Sequence, residues 1–191
     1  MRIIAGTFRS RPLKAPPGLA TRPTSDRLRE TLFNVLALRI NSAKSGLRFL
    51  DLYAGSGAVG IEAISRGVTH VTFVEQSRPA LKILQANLAS LGITSGFEVE
   101  SLKVSAYLRV AIKANEAKFN LVFLDPPYDL ANEYENTLHG LGALLAPDAL
   151  VIAEHRRKEK LPEKIAALKR TRLLEQGDAA LSFYQQEIQS S

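Results

Sequence analysis

The sequence predicts an α/β protein, a mostly parallel sheet with helices on both faces, and three observations lead there. From Arg48 onward, short apolar runs rich in β-branched and aromatic residues alternate with longer amphipathic stretches. The first of these runs enters a Gly-rich turn that opens a helix, the usual place for a ligand at the carboxyl ends of parallel strands. The chain is 191 residues long, 46% hydrophobic and 23% charged, which is enough to bury one core and argues against disorder.

The elements follow in order. Residues 1–23 are short apolar pieces broken by Arg, Gly and Pro, including Pro12 and Pro16-Pro17-Gly18, and predict a small hairpin with an extended arm. Thr24 or Ser25 offers an N-cap, Asp26 sits in the first turn, and Leu28, Leu32, Val35 and Leu36 recur at helical spacing to about Arg39. Residues 41–47 read as a hinge. Strands are predicted at Arg48–Leu52, Val71–Glu75, Phe97–Ser101, Leu121–Asp125 and Leu150–Glu154. Between them lie helices at Val59–Ser65, Pro79–Leu91, Val104–Ala114 and Asn132–Leu145. Arg172–Gln176, the Gly177-Asp178 turn and Ala180–Gln186 form a closing hairpin.

Composition removes several functional classes. With no Cys there is no disulfide, thiol nucleophile or Cys-ligated zinc. The three His (His70, His139, His155) are too scattered for a spaced metal site, so no metal is expected. No apolar run approaches the ~18 residues of a membrane span, and no signal segment opens the chain, so the expected compartment is the cytoplasm.

Charge is segregated. Residues 1–46 hold nine Lys/Arg against Asp26 and Glu30, a net +7, while the remaining 145 residues hold sixteen against seventeen, a net −1. The chain therefore divides into a basic arm, 1–46, and a near-neutral body, 47–191. Such an arm suits a polyanion, and Arg2, Arg9, Arg11, Lys14, Arg22, Arg27 and Arg29 are its candidate contacts.

The glycine turn is the strongest local signal. In Asp51-Leu52-Tyr53-Ala54-Gly55-Ser56-Gly57-Ala58-Val59-Gly60, the three glycines satisfy the G-x-G-x-x-G pattern, and Glu75, twenty residues past Gly55, ends the next strand where a ribose-binding acid is expected. A nucleoside cofactor follows. Asp51 narrows the choice: an acid just before the first glycine sits badly beside a pyrophosphate but suits the ammonium of a methionyl group. S-adenosylmethionine (AdoMet) joins adenosine to such a group without a phosphate. Tyr53, Ala54, Gly55, Ser56 and Gly57 would line its loop, with Glu75 and Gln76 at the ribose.

Leu124-Asp125-Pro126-Pro127-Tyr128 ends the fourth strand. The prolines stiffen the turn and leave carbonyls free to accept from a ligand. Asp125 adds a carboxylate and Tyr128 a flat face. Two acceptors, the Asp125 side chain and the Pro126 carbonyl, can each take one hydrogen of an exocyclic amino group. Its delocalised lone pair is then drawn toward tetrahedral geometry while the extruded base stacks on Tyr128.

These residues resemble the class I AdoMet-dependent methyltransferases that modify amino groups of bases, a Rossmann-like group. Arg2-Ile3-Ile4-Ala5-Gly6, Arg22-Pro23-Thr24 and Arg27-x-Arg29-Glu30-x-x-Phe33-Asn34 further resemble the RsmD family of 16S ribosomal RNA guanine-N2 methyltransferases. The resemblance covers nearly the whole chain. It implies a seven-stranded sheet ending in an antiparallel hairpin, a monomer, and a target guanine in the small ribosomal subunit or its assembly intermediate. It also implies that Asp51 and the Gly55–Gly57 loop hold the methionine part, Glu75 the ribose, Asp125–Tyr128 the base, and the basic arm the RNA. One departure stands out. Beside the adenine the family often has an Asp-Ala pair, where this chain offers Lys103-Val104 or, in the other register, Ser105-Ala106.

Other readings are compatible with some of these residues. Asp-Pro-Pro-Tyr also permits adenine-N6 methylation of DNA or RNA, the fold could serve a non-catalytic RNA-binding protein, and the glycine pattern occurs in NAD-dependent oxidoreductases. The run Arg156-Arg157-Lys158, with Lys160 and Lys164, reads as a solvated loop, and His155 beside Glu154 as a structural residue.

Overall fold

A computed structural model describes residues 1–15, 25–43, 46–115, 118–127 and 131–187. The expectations at Pro16–Gly18, at Arg22-Pro23-Thr24, at Lys44 and at Tyr128 lie outside the described residues. Helix α1 (Asp26–Ser42) is followed by β1 (Arg48–Leu52), α2 (Ala58–Ser65), β2 (His70–Val74), α3 (Arg78–Leu91), β3 (Phe97–Glu100), α4 (Val104–Lys113) and β4 (Phe119–Leu124). Then come α5 (Ala131–Gly140), a single 3-10 turn, β5 (Leu145–Arg156), β6 (Lys164–Ile165), β7 (Leu168–Gln176) and β8 (Ala179–Gln186).

One sheet contains all the strands, in the order β3-β2-β1-β4-β5-β8-β7-β6. The first five are parallel, and β8, β7 and β6 add on antiparallel. The switch of strand order falls between β1 and β4, where the chain leaves β3 and returns on the other side of β1. The sheet has eight strands rather than the seven expected, the addition being the two-residue edge strand β6. β5 also starts five residues earlier than expected. The preceding helix ends at Gly140, and β5 pairs first as Leu145 with Phe119, then shifts register before pairing resumes at Leu121 with Leu150.

Alternation along the strands sends side chains to two cores. Phe49, Phe73, Leu121, Phe123 and Ile152 face α1, α2 and α3, whereas Leu50, Leu52, Val74, Val122 and Leu124 face α4 and α5. Gly60 is needed for the first packing, since a Cβ there would lie 2.2 Å from the Phe73 ring.

The charge boundary at residue 46 is not a packing boundary. Ile3, Leu13, Leu28, Leu32, Phe33, Leu36 and Ile40 are buried in the same cluster as Phe49, Phe73 and Ile152. The predicted hairpin is present as an antiparallel bridge of Arg2 with Pro12. Ser25 is the N-cap, its hydroxyl accepting from the N–H of Leu28 at 3.1 Å. α1 runs antiparallel to β5. Near its start Thr31 lies 3.0 Å from the Gln176 side chain, at the tip of the β7–β8 hairpin, and near its end Arg39 donates to the carbonyl of Asp148 at 2.7 Å, close to the beginning of β5. The amino end of α1 thus lies toward the carboxyl ends of the parallel strands.

Glu62 of α2 anchors this arrangement. Its fully buried carboxylate accepts from the N–H groups of Ile4 at 2.8 Å and Ala5 at 3.0 Å, and from Arg66 Nε at 2.7 Å. Arg29 Nε approaches it to 3.7 Å. Arg29 corrects an expectation: it is fully buried, and its guanidinium serves Glu62, Asp26 and the carbonyl of Arg2, not RNA. Arg66 also lies over the Phe33 ring at 5.0 Å, joining α2 to α1. Replacing Glu62 by Ala would leave the amide donors of Ile4 and Ala5 without their acceptor in the core, remove the partner of Arg66 Nε and leave Arg29, among the described residues, with Asp26 as its sole carboxylate neighbour. Glu62→Ala is expected to destabilise the fold by about 3–5 kcal/mol, read from the urea midpoint, and Glu62→Gln by less, because it keeps an acceptor.

Candidate active site

The carboxyl ends of β1, β4 and β5 bring three acids together. Asp51 lies on β1, and Asp125 follows directly on β4. The ladders pair Leu52 with Leu124 and Leu124 with Ala153, so Asp125 stands beside Glu154 of β5. Asp51 and Glu154 are buried, and Asp125 is partly exposed at the surface of the site. Crowding and burial disfavour their charged forms. Burial, opposed by the hydrogen bond from Gly60 and helped by Glu75, raises the Asp51 pKa to about 7. Asp125 is pushed well above the usual carboxylate range, first by burial and then by Glu154 and Asp51. Such a cluster favours a cation.

The glycine turn supplies the neighbouring concavity. Asp51 Oδ2 accepts from the N–H of Gly60 at 2.9 Å, so the acid also caps the start of α2. Gly57 has φ 78°, and a Cβ there would fall 2.1 Å from Leu84, so only glycine fits. Glu75, just beyond β2, accepts from Gly55 N–H at 2.8 Å through one oxygen and from Ser77 N–H at 2.7 Å through the other. Both oxygens keep lone pairs for further donors. Ala54 donates to the carbonyl of Val74 at 3.0 Å, and the carbonyl of Ser56 accepts from Asn87 of α3 at 2.9 Å. Gln76 is exposed at the rim.

Tyr53 departs from a simple lining role. It is a non-glycine residue at φ 61°, and its hydroxyl donates to Glu133 at 2.8 Å and lies 2.8 Å from Thr137 Oγ1, both on α5. Burial, more than the nearby Glu133, pushes its hydroxyl pKa up, so it stays protonated and able to donate. Tyr53 therefore ties the glycine turn to the helix that follows the Asp125 segment.

Lys103 is the last residue before α4, exposed, with φ and ψ of −62° and 141°, and Val104 is the first helical residue and buried. No side chain caps α4, so its first amide N–H groups point toward the carboxyl end of β3 without a side-chain partner. Pro126 is buried and Pro127 exposed. Tyr128 lies outside the described residues.

On the arm, Arg2, Arg9 and Arg27 line one surface cavity of about 450 Å³ with Asp26 and Glu30. Arg11 is exposed and donates to the carbonyl of Ser90 at 2.9 Å. The Lys14 backbone exchanges two hydrogen bonds with Asn87, the same side chain that holds Ser56. The arm is thus hydrogen-bonded, through one asparagine, to the glycine turn. Arg22 is outside the described residues.

His155 is structural. Its Nδ1 lies 2.9 Å from the carbonyl of Arg156, which requires a proton on Nδ1, so Nε2 accepts from the Ser182 hydroxyl at 2.9 Å. Burial lowers its pKa. Sequence reasoning missed Glu133, Thr137 and Asn87, which are polar residues on otherwise ordinary amphipathic helices. It treated Glu154 only as the neighbour of His155, although an acid at the carboxyl end of a buried strand, as at Asp51 and Asp125, is the shared signal. Among the described residues no helix is long and apolar enough to cross a membrane, and no group of three or more His, Asp or Glu could hold a metal ion.

Comparison with known proteins places this chain in a family. A family model described as "Conserved hypothetical protein 95" matches residues 1–185. The chain is 38% identical over 191 residues to Ribosomal RNA small subunit methyltransferase D of Escherichia coli strain K12, covering 99% of this chain and 91% of that one. It is 36% identical over 193 residues to YlbH of Bacillus subtilis strain 168, covering 96% and 98%. The solved structure of yhhF from Escherichia coli superposes with a TM-score of 0.83 at 34% identity, covering 99% of each chain. With its Rossmann-like fold and its matches running from the basic arm to the closing hairpin, the chain belongs to the RsmD family.

Proposed function

We propose that this protein transfers the methyl group of AdoMet to the exocyclic N2 amine of a guanine in 16S ribosomal RNA of the small subunit or its assembly intermediate. The observation that carries the reading is the meeting of Asp51, Asp125 and Glu154 at the ends of three adjacent strands, beside a glycine turn whose Gly55 N–H is held by Glu75. Relatives of more than 35% identity named as small-subunit rRNA methyltransferases support the substrate class.

The residues present fit AdoMet. A cationic ligand relieves the repulsion among three crowded carboxylates, whereas a pyrophosphate would add to it. Asp51 would hold the methionyl ammonium, the Tyr53–Gly57 turn the chain, and Glu75 the ribose hydroxyls, with Gln76 at the rim. Lys103-Val104 would border the adenine, where a free N–H of α4 serves in place of a side-chain acceptor. Bound AdoMet supplies an electrophilic methyl group on a sulfonium.

The chain's own residues prepare the nucleophile. Asp125 in its ionised form and the Pro126 carbonyl each accept one amine hydrogen, and Pro127 keeps the turn rigid. Neighbouring positive charge favours the ionised form of Asp125, so the acceptor is created as the cofactor site fills. Tyr128 stacks the extruded base. The proton lost by the methylated amine passes to Asp125. Arg2, Arg9, Arg11, Lys14, Arg22 and Arg27 of the arm hold the RNA backbone, while Arg29 serves the fold. One chain carries all of these roles, so a monomer suffices, acting in the cytoplasm where ribosomes are assembled.

Two outcomes test this. Asp125→Ala should reduce transfer to small-subunit RNA at least ~100-fold with AdoMet affinity within about threefold of wild type, measured by calorimetry and labelled methyl transfer. A collapse of AdoMet affinity would instead make Asp125 a cofactor ligand. The pH dependence of AdoMet affinity has a definite sign. The ammonium needs ionised Asp51, whose pKa in the free protein is about 7, so protonation competes below that value. Affinity should rise roughly fivefold to tenfold between pH 6 and pH 7.5, and Asp51→Asn should lose most of this slope, keeping only the part that comes from Asp125.

A further inference from the structure

The basic run after β5 looked like a solvated loop in the sequence, but the fold brings it to the rim of the site. Glu154 is beside Asp125, and Arg157 follows it by three residues, roughly 10 Å at the rise of a strand. Arg157, Lys158 and Lys160 are all exposed. Their backbone is held on several sides. Arg157 N–H donates to the carbonyl of Asp178 at 2.8 Å, Glu159 N–H to that of Arg156 at 2.9 Å, Arg170 to that of Leu161 at 3.0 Å, and the Tyr184 hydroxyl to that of Pro162 at 2.8 Å. The acid within the run, Glu159, turns its carboxylate back to within 3.4 Å of the Arg156 N–H. A cationic edge on a pinned turn loses little entropy when it meets a ligand.

The other end of this edge meets the arm. The β7–β8 tip that receives Arg157 also touches Thr31, one turn from Arg27 at the amino end of α1. Exposed cations from two distant parts of the sequence, Arg27 and Arg157–Lys160, therefore flank the same tip beside the carboxyl ends of the strands. Exposed cations on both sides of that tip, next to Asp125, suit a polyanion such as a sugar-phosphate backbone.

Building on the rRNA reading above, we infer that the turn carrying Arg157, Lys158 and Lys160 is a second RNA-backbone contact, binding phosphates next to the target nucleotide on the side opposite the cofactor. The partner is the nucleic acid and not a ribosomal protein. Binding of AdoMet does not involve it.

The test compares wild type with Arg157→Ala/Lys158→Ala, and with Lys113→Ala at the far end of α4 as a control. Binding to protein-free 16S rRNA is measured across a salt series, methylation kinetics on small-subunit particles, and AdoMet affinity by calorimetry. The double variant should bind RNA about fivefold to tenfold more weakly at moderate salt. Its plot of log affinity against log salt should be shallower by about 0.7 for each phosphate that is no longer neutralised, and KM for particles should rise more than kcat falls. AdoMet affinity and the Lys113→Ala variant should match wild type, and Arg157→Lys/Lys158→Arg should restore the slope. An unchanged salt slope on free rRNA would overturn the inference, even if KM for particles rose, since that pattern would assign the turn to a protein partner. The binding series is independent of methyl transfer. Failure of wild type to methylate rRNA would count against the proposed function, whereas an unchanged slope counts only against this second RNA-binding edge.

Discussion

A single buried carboxylate, Glu62, joins the two halves of the charge pattern. It lies in the helix that begins at the glycine turn, and it receives the backbone of Ile4 and Ala5, the guanidinium of Arg66 and the approach of Arg29. A desolvated anion of this kind is tolerable only when fully matched, so the hairpin and α1 are obliged to dock there. Asn87 repeats the connection from the other side, linking Lys14 to Ser56. The basic arm is consequently part of the same core as the cofactor turn, and the geometry between them is set before any ligand arrives.

The second constraint is electrostatic. Parallel strands end together, and β1, β4 and β5 each carry an acid at or within two residues of the carboxyl end, Asp51, Asp125 and Glu154. Burial raises the pKa of Asp51 and Asp125, and neighbouring acids add to it, Glu75 for Asp51 and Glu154 with Asp51 for Asp125. A positive charge placed among these buried acids favours their ionised forms. On the proposed function, cofactor choice and activation of the amine acceptor have one physical origin. Tyr53, bonded to α5, keeps the turn and the catalytic segment in fixed relation.

Much of this could be read from the chain because the signals were local. The glycine turn, Asp51, Glu75 and the Asp-Pro-Pro segment each depend on a few consecutive residues and on the position of a strand end. What escaped was set by tertiary packing. Arg27 and Arg29 looked alike in sequence, yet Arg29 falls in the stripe with Phe33, Leu36 and Ile40 that faces the core, and Arg27 does not. That spacing was visible, but a buried arginine has meaning only once its partner Glu62 is known. The two-residue β6 and the bulged start of β5 depend on their neighbours in the sheet, which no local pattern specifies. The basic turn at Arg157 changed meaning for the same reason, since its distance to Asp125 is created by strand register.

The central claim is that the acids at the strand ends direct a methyl group to a guanine amine in small-subunit RNA. It is tested most directly by treating small-subunit particles that lack the modification with the protein and labelled AdoMet, then digesting the RNA and identifying the labelled nucleoside by mass spectrometry. The account predicts label in N2-methylguanosine at one position of 16S rRNA. Label confined to N6-methyladenine, or transfer to duplex DNA with none to the particle, would contradict it.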